Sequence, residues 1–184
     1  MNFYPLQFQP ILKDRIWGGT KLQSVLNKEI SSETTGESWE LSTVPNDVSI
    51  VVNGPFRDRN LNELIELFPQ EILGKNVNER FGNQFPLLFK FIDAKEDLSI
   101  QLHPNDDLAK KRHNSFGKTE MWYVMQADEG SRLVVGFKKD SNKEEYLEKL
   151  ANKDLISLLN EITVKEGDIF FLETGILKQI SIKS

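Results

Sequence analysis

The apolar residues of this chain come in short runs, each closed by turn-forming residues, and that pattern excludes most architectures. Ser38-Trp39-Glu40-Leu41 and Val48-Ser49-Ile50-Val51-Val52 have strand character, with breaks at Pro45-Asn46-Asp47 and Asn53-Gly54-Pro55. Phe85 to Ile92 is a near-continuous apolar run carrying one lysine, Lys90. Leu98–His103, Met121–Met125 and Arg132–Phe137 follow, and with it they read as four strands of a buried sheet system. Ile162–Val164 and Ile169–Leu172, hinged at Glu166-Gly167-Asp168, predict a final hairpin. Helices are few. Asn60 caps one, with Glu63 three residues on, Leu61, Leu64, Ile65 and Phe68 on one face, and Pro69 as its stop. Asp106–His113 predicts a short charged helix with acids in its first turn and bases near its end, His113 serving as a cap. Ser141 with Glu144 predicts a capping box for a helix through Leu150, followed by a second helical stretch to about Leu159. The fold class is therefore mainly β with helical decoration, a sandwich or barrel. Alternating parallel strand–helix units are not there.

At 184 residues, without internal repeats or a low-complexity linker, the chain is expected to be one domain over 1–184. No cysteine is present, so disulfide scaffolds, thiolate zinc sites and cysteine nucleophiles are excluded, and any metal must be held by nitrogen and oxygen. The net charge of −5 is opposite in sign to that of a nucleic-acid binder. No apolar stretch is long enough to span a bilayer, and Met1-Asn2-Phe3-Tyr4-Pro5 lacks the charged and apolar regions of a secretion signal. A cytoplasmic protein without nucleic-acid or membrane partners is expected.

Histidine occurs only twice, at 103 and 113. Gln101 and His103 are two apart in a strand-like segment, which puts both side chains on one face, and Glu120 opens the next strand-like run. An amide oxygen, an imidazole and a carboxylate make a donor set suited to zinc or another borderline divalent ion. A hydrogen-bonded histidine and a surface glutamate are the simpler reading of the spacing alone. In the helix, Asp106–Lys110 and Asp107–Lys111 form i,i+4 pairs on a solvated face. Ser115-Phe116-Gly117-Lys118-Thr119 is a small loop able to offer backbone N–H groups and one ammonium to a phosphate, although it lacks the glycines of a P-loop. Lys90, inside an apolar run, either snorkels to the surface or faces a polar cavity.

Five separated blocks share one resemblance. They are Arg15-Ile16-Trp17-Gly18-Gly19, Gly36 to Ser42, Phe85 to Ala94, Leu98-Ser99-Ile100-Gln101-Leu102-His103-Pro104-Asn105-Asp106, and Gly117-Lys118-Thr119-Glu120-Met121-Trp122-Tyr123-Val124. In consistent order from near residue 5 to about 172, they resemble the type I phosphomannose isomerase family in its shorter bacterial form. The resemblance implies a cupin-like β-barrel or jelly roll and a zinc-dependent interconversion of mannose 6-phosphate and fructose 6-phosphate. It implies Gln101, His103 and Glu120 as ligands of one Zn2+ per chain, Ser99 and Lys118 as phosphate and sugar contacts, and Lys90 as a lysine of the same pocket. Lys118 and Lys90 are then the catalytic candidates.

The resemblance breaks near the end. A second cupin motif runs Gly, five residues, Pro, any residue, Gly, two residues, His. Laid on this chain it keeps Gly167 and Gly175 but meets Glu173 at the proline and Lys178 at the histidine. An ammonium must lose its proton before it can donate a lone pair, so zinc is expected to be weakly held and turnover low. The expectation is a truncated or frameshifted isomerase diverging near Glu173. Its barrel would be incomplete at the C-terminus, its apolar faces such as Ile169-Phe170-Phe171-Leu172 uncovered, and self-association favoured. The alternative is a natural short form whose tail, Ile176–Ile182, supplies a replacement strand.

Overall fold

A computed structural model describes residues 3–181, so Ile182, the last residue of the expected replacement strand, lies outside the described residues. The chain divides into two compact units, with the boundary after Lys95. The ladders of the named strands are all antiparallel, as the absence of parallel alternation requires.

In the first unit Thr35–Leu41 is the central strand of three, flanked by Ile11–Gly19 and Phe89–Ile92. Close approach is built into the outer pair. A Cβ on Gly18 would overlap the Thr34 carbonyl oxygen and the backbone of Gly36, so only glycine fits there. Beside this sheet, Val51, Phe56 and Leu64 form a buried core against Tyr4, Leu6, Phe8, Phe68 and Ile72. The expected helix is Leu61–Leu67. The Asn60 side chain accepts the Glu63 N–H at 2.9 Å and donates to the Glu63 carboxylate at 2.9 Å.

Several expectations change here. Pro69 stops the Leu61–Leu67 helix as expected, and it also opens a new helix, Pro69–Leu73, at the position where its missing N–H costs nothing. Lys75–Phe81 follows it, and neither of these two helices buries a residue, so the sequence carried no apolar stripe to reveal them. Of the run Phe85–Ile92 only Phe89–Ile92 is strand, because Pro86 has no N–H to give a ladder. Of Val48–Val52 only Val48 joins a two-stranded ribbon, as the end of strand Asp47–Val48, with isolated bridges at Ile50 and Val51.

Lys90 keeps partial contact with water and is ion-paired to Glu37. On adjacent strands Trp39 pairs with Lys90 and Glu37 with Ile92, which sets Glu37 and Lys90 diagonally on one face. The Lys90 ammonium lies 2.6 Å from one Glu37 oxygen, while Arg15 at 2.7 Å and the Trp39 indole N–H at 3.1 Å reach the other. Burial pushes the Glu37 pKa up, but the Lys90 ammonium, the indole N–H and the Arg15 guanidinium outweigh it. The carboxyl is held below its ordinary 4.5.

The second unit holds a four-stranded sheet in the order Gln101–Leu102, Leu177–Ser181, Arg132–Phe137, Leu159–Thr163, and a separate pair, Glu120–Tyr123 with Ile169–Leu172. Among the described residues these ladders do not close into a ring. The four strands expected to share one buried system are thus divided among three sheets. The expected final hairpin is absent as well. Leu159–Thr163 pairs with Arg132–Phe137, whereas Ile169–Leu172 crosses to Glu120–Tyr123, anchored where Val124 and Gly167–Asp168 exchange backbone hydrogen bonds. Asp106–His113 forms as expected, though Asn114 rather than His113 is its C-cap. The later helix is Lys143–Ala151, and its cap is Asn142, whose side chain accepts the Glu145 N–H at 2.8 Å. Ser141 instead donates to the Glu145 carboxylate. The tail forms the strand Leu177–Ser181. Alternation leaves Met121, Tyr123, Ile169 and Phe171 more than half exposed on one face of the strand pair, while Leu172 is fully buried.

Because the folded pKa of Glu37 lies below its unfolded value, its stabilisation is present above about pH 4.5 and is lost as pH falls. Glu37→Gln is expected to cost about 1–3 kcal/mol at neutral pH and to flatten the decline in stability toward about pH 3, read from urea midpoints. An unchanged pH profile would show that the cluster contributes nothing.

Candidate functional site

The donors singled out in the sequence belong to the second unit, where His103, Lys118 and Lys178 meet at the carboxylate of Glu120. It stands at the start of its strand, with the buried Leu172 opposite. His103 Nε2 lies 3.5 Å from Glu120 Oε1, and the Lys118 ammonium lies 3.2 Å from the same oxygen. The Lys178 ammonium lies 2.6 Å from Oε2, which also accepts the Trp122 indole N–H at 3.2 Å. Trp122 reaches it because residues two apart on a strand share a face. Burial raises the Glu120 pKa, and the ammonium groups of Lys178 and Lys118 overcome that effect and hold the carboxyl below the usual range.

Gln101 arrives by register. The strand Gln101–Leu102 is two residues long, and Gln101 sits directly across from Lys178, so the two side chains share a face of the sheet. Its amide is exposed and donates to Ser99 Oγ at 3.2 Å. His103 lies just past the strand, and its carbonyl accepts the Gly175 N–H at 2.9 Å. The position that the cupin motif gives to histidine therefore does face the cluster, filled here by Lys178.

Whether this set suits zinc is a question of geometry and of charge. Bond lengths of about 2.0–2.2 Å at a tetrahedral centre separate two ligand atoms by about 3.3 Å, close to the spacing of the His103 and Glu120 atoms. The charges disagree. Each Glu120 oxygen already meets an ammonium, and Lys178 is 2% exposed, with no route for its charge to water. Among the described residues no three His, Cys, Asp or Glu side chains gather to hold an ion. As arranged, the donors do not fit bound zinc.

The loop before Glu120 is tied down rather than open. The Gly117 N–H donates to Asp106 Oδ1 at 2.7 Å, so it is not available to a phosphate, and Asp106 is engaged there instead of serving only its helix. A Cβ on Gly117 would lie 2.8 Å from the backbone of Pro104, Asn105 and Asp106. This contact fixes Lys118 relative to the start of the Asp106–His113 helix. Lys118 reaches the cluster through Glu120, while the Ser99 hydroxyl meets the Gln101 amide. Lys90 is held by Glu37 in the first unit. Sequence reading gave no role to Glu37 or Trp122, although each lies within a quoted block two residues from a partner.

Comparison with known proteins agrees with the resemblance. The model of the type I phosphomannose isomerase catalytic domain matches residues 6–131. The chain belongs to the type I phosphomannose isomerase family. A mannose-6-phosphate isomerase of Streptococcus mutans is 40% identical over 180 residues, covering 96% of this chain and 54% of that protein. The crystal structure of mannose 6-phosphate isomerase from Bacillus subtilis superposes with a TM-score of 0.88 at 36% identity, over 96% of this chain and 55% of that one. The fold is thus the cupin fold of phosphomannose isomerases. A mannose 6-phosphate isomerase bound with zinc and yttrium, 17% identical, shares it at a TM-score of 0.70, over 95% of this chain and 67% of its own. The chain spans about half the length of the curated relatives it matches. The family match includes Lys90, Ser99, Gln101, His103, Lys118 and Glu120 and stops short of Lys178. No described helix is long and apolar enough to cross a membrane.

Gly117→Ala is expected to destabilise the protein by about 1–3 kcal/mol, because the new methyl meets backbone that cannot rotate away. Urea unfolding measures it; a change within about 0.3 kcal/mol would show that the loop can move aside.

Proposed function

We propose that the cluster around Glu120 is the sugar-phosphate site of an aldose–ketose isomerase acting on mannose 6-phosphate and fructose 6-phosphate, and that this chain binds the sugar phosphate but turns it over near background. The observation that supports both halves is the Lys118–Glu120–Lys178 arrangement at the family's own motif positions. Lys118 is partly exposed and offers an ammonium to a phosphate dianion, and the Ser99 hydroxyl adds a hydrogen-bonding group beside Gln101. Gripping the phosphate fixes the distance to C1 and C2, which turns remote binding into orientation.

Isomerisation moves a carbonyl between C1 and C2. It needs a base to take the proton from the adjacent carbon and an electrophile to stabilise the enediolate. In the family a zinc ion supplies that electrophile, with Gln101, His103 and Glu120 at the positions of its ligands. Here one zinc per chain would be weakly held, because it meets the Lys178 charge. Lys118 is the catalytic candidate of this cluster, and Lys90 enters from the family resemblance alone. The rival reading, a non-catalytic cupin module for a phosphosugar, is favoured by the same buried ammonium. A single cupin-like domain over 1–184 and a cytoplasmic location belong to this proposal.

A coupled isomerase assay with added zinc is expected to give turnover near background in the wild-type chain and in the Gln101→Ala control. Calorimetry with mannose 6-phosphate is expected to show binding that Lys118→Ala weakens about tenfold. Robust turnover lost on chelation would overturn the catalytic half, and absence of sugar-phosphate binding would overturn the other. The exposed face of Met121, Tyr123, Ile169 and Phe171 also supports self-association. Sedimentation over a concentration series should show growth beyond the monomer; a monomer throughout removes that part.

A further inference from the structure

We infer that Lys178 is the resident cation of this site, its buried ammonium standing where the family's divalent ion would lie and making the fold of the second unit independent of metal. This rests on the reading of the Glu120 cluster as the family's site and goes beyond it, because it concerns what neutralises the site rather than what the site turns over.

Lys178 is not a surface lysine that happens to lean inward. It sits on Leu177–Ser181, the strand bonded to Gln101–Leu102 on one side and Arg132–Phe137 on the other. Gln101 is its cross-strand partner on one flank and Val135 on the other, and it is 2% exposed. A lysine in the middle of a sheet cannot be buried at such depth unless a counter-charge meets it. Glu120 does so at 2.6 Å, and the Trp122 ring, 6.0 Å from the ammonium, presents its π face as a second favourable surface.

The reciprocal statement concerns Glu120. A carboxylate beside an imidazole in a partly buried site requires positive charge. In a metal site the ion provides it; here the polypeptide provides it permanently. An incoming divalent ion must push the ammonium from Oε2, and displacing a charge that is 2% exposed is costly. Ion and lysine therefore exclude one another. Replacing the lysine by histidine reverses the situation, since it removes the competing charge and adds a nitrogen donor on the same face as Gln101, toward His103 and Glu120.

The test follows zinc itself on the full chain, by calorimetry and by thermal unfolding, in wild type, Lys178→His and Lys178→Leu. Wild type is expected to keep its Tm when chelator or stoichiometric zinc is added. K178H is expected to bind one zinc at least about tenfold more tightly than wild type, to gain Tm with zinc, and to lose both on adding His103→Ala. K178L, which removes the charge without adding a donor, should remain weaker than K178H. A folded K178H with no gain overturns the inference, as does a wild-type chain that binds zinc as tightly as K178H or loses Tm to chelator. Should the variants not fold, the imidazole NMR signals of His103 in wild type decide: unmoved by one equivalent of zinc they support the resident cation, and shifted by it they refute it. No readout uses turnover or sugar, so this result and the isomerase reading fail separately.

Discussion

Taking a carboxylate out of water is costly unless cations meet it, and each unit of this protein is arranged around one such meeting. In the first unit Arg15 and Lys90 converge on Glu37, drawn from three different strands. In the second, Lys118 and Lys178 converge on Glu120, one from a loop and one from the middle of a sheet. Both acids also accept an indole N–H from the tryptophan two residues on. The parallel is chemical. An alternating strand sets acid and indole on one face, and strands brought alongside supply the charges. The difference lies in exposure, since the basic partners of Glu37 keep contact with water whereas Lys178 does not.

Local signals in the sequence were read well where the governing interaction is local. The Asn60 cap and the Asp106–His113 helix depend on residues three or four apart, and both formed with the expected bounds or within a residue or two of them. Arg132–Phe137 was equally clear from its β-branched run. Readings failed where partner choice is remote. Nothing within Ile162–Leu172 says that its two strands belong to different sheets, because that is decided by ladders to residues some thirty to fifty positions away. The helices Pro69–Leu73 and Lys75–Phe81 are hidden for another reason: each is short and has no fully buried residue, so neither displays a clear periodicity.

The site divides in the same way. His103 and Glu120 were named from residue type and placement, and they do come together. Lys178 was recognised as a departure from a histidine, and only the register of its strand shows that it still reaches the cluster and meets the acid there. Glu37 illustrates what spacing omits. It lies in a conspicuous block, yet its part depends on Lys90, fifty-three positions on.

The two-residue strand Gln101–Leu102 lies at the edge of its sheet, while its partner Leu177–Ser181 is held on both flanks. Backbone hydrogen bonds from Leu98 to Ile180 and from Gly175 to His103 extend its attachment on either side. The amide of Gln101 is carried on the margin of the sheet and the Lys178 ammonium on an interior strand. The cross-strand pair thus joins an exposed amide at a sheet margin to an ammonium anchored in the sheet interior.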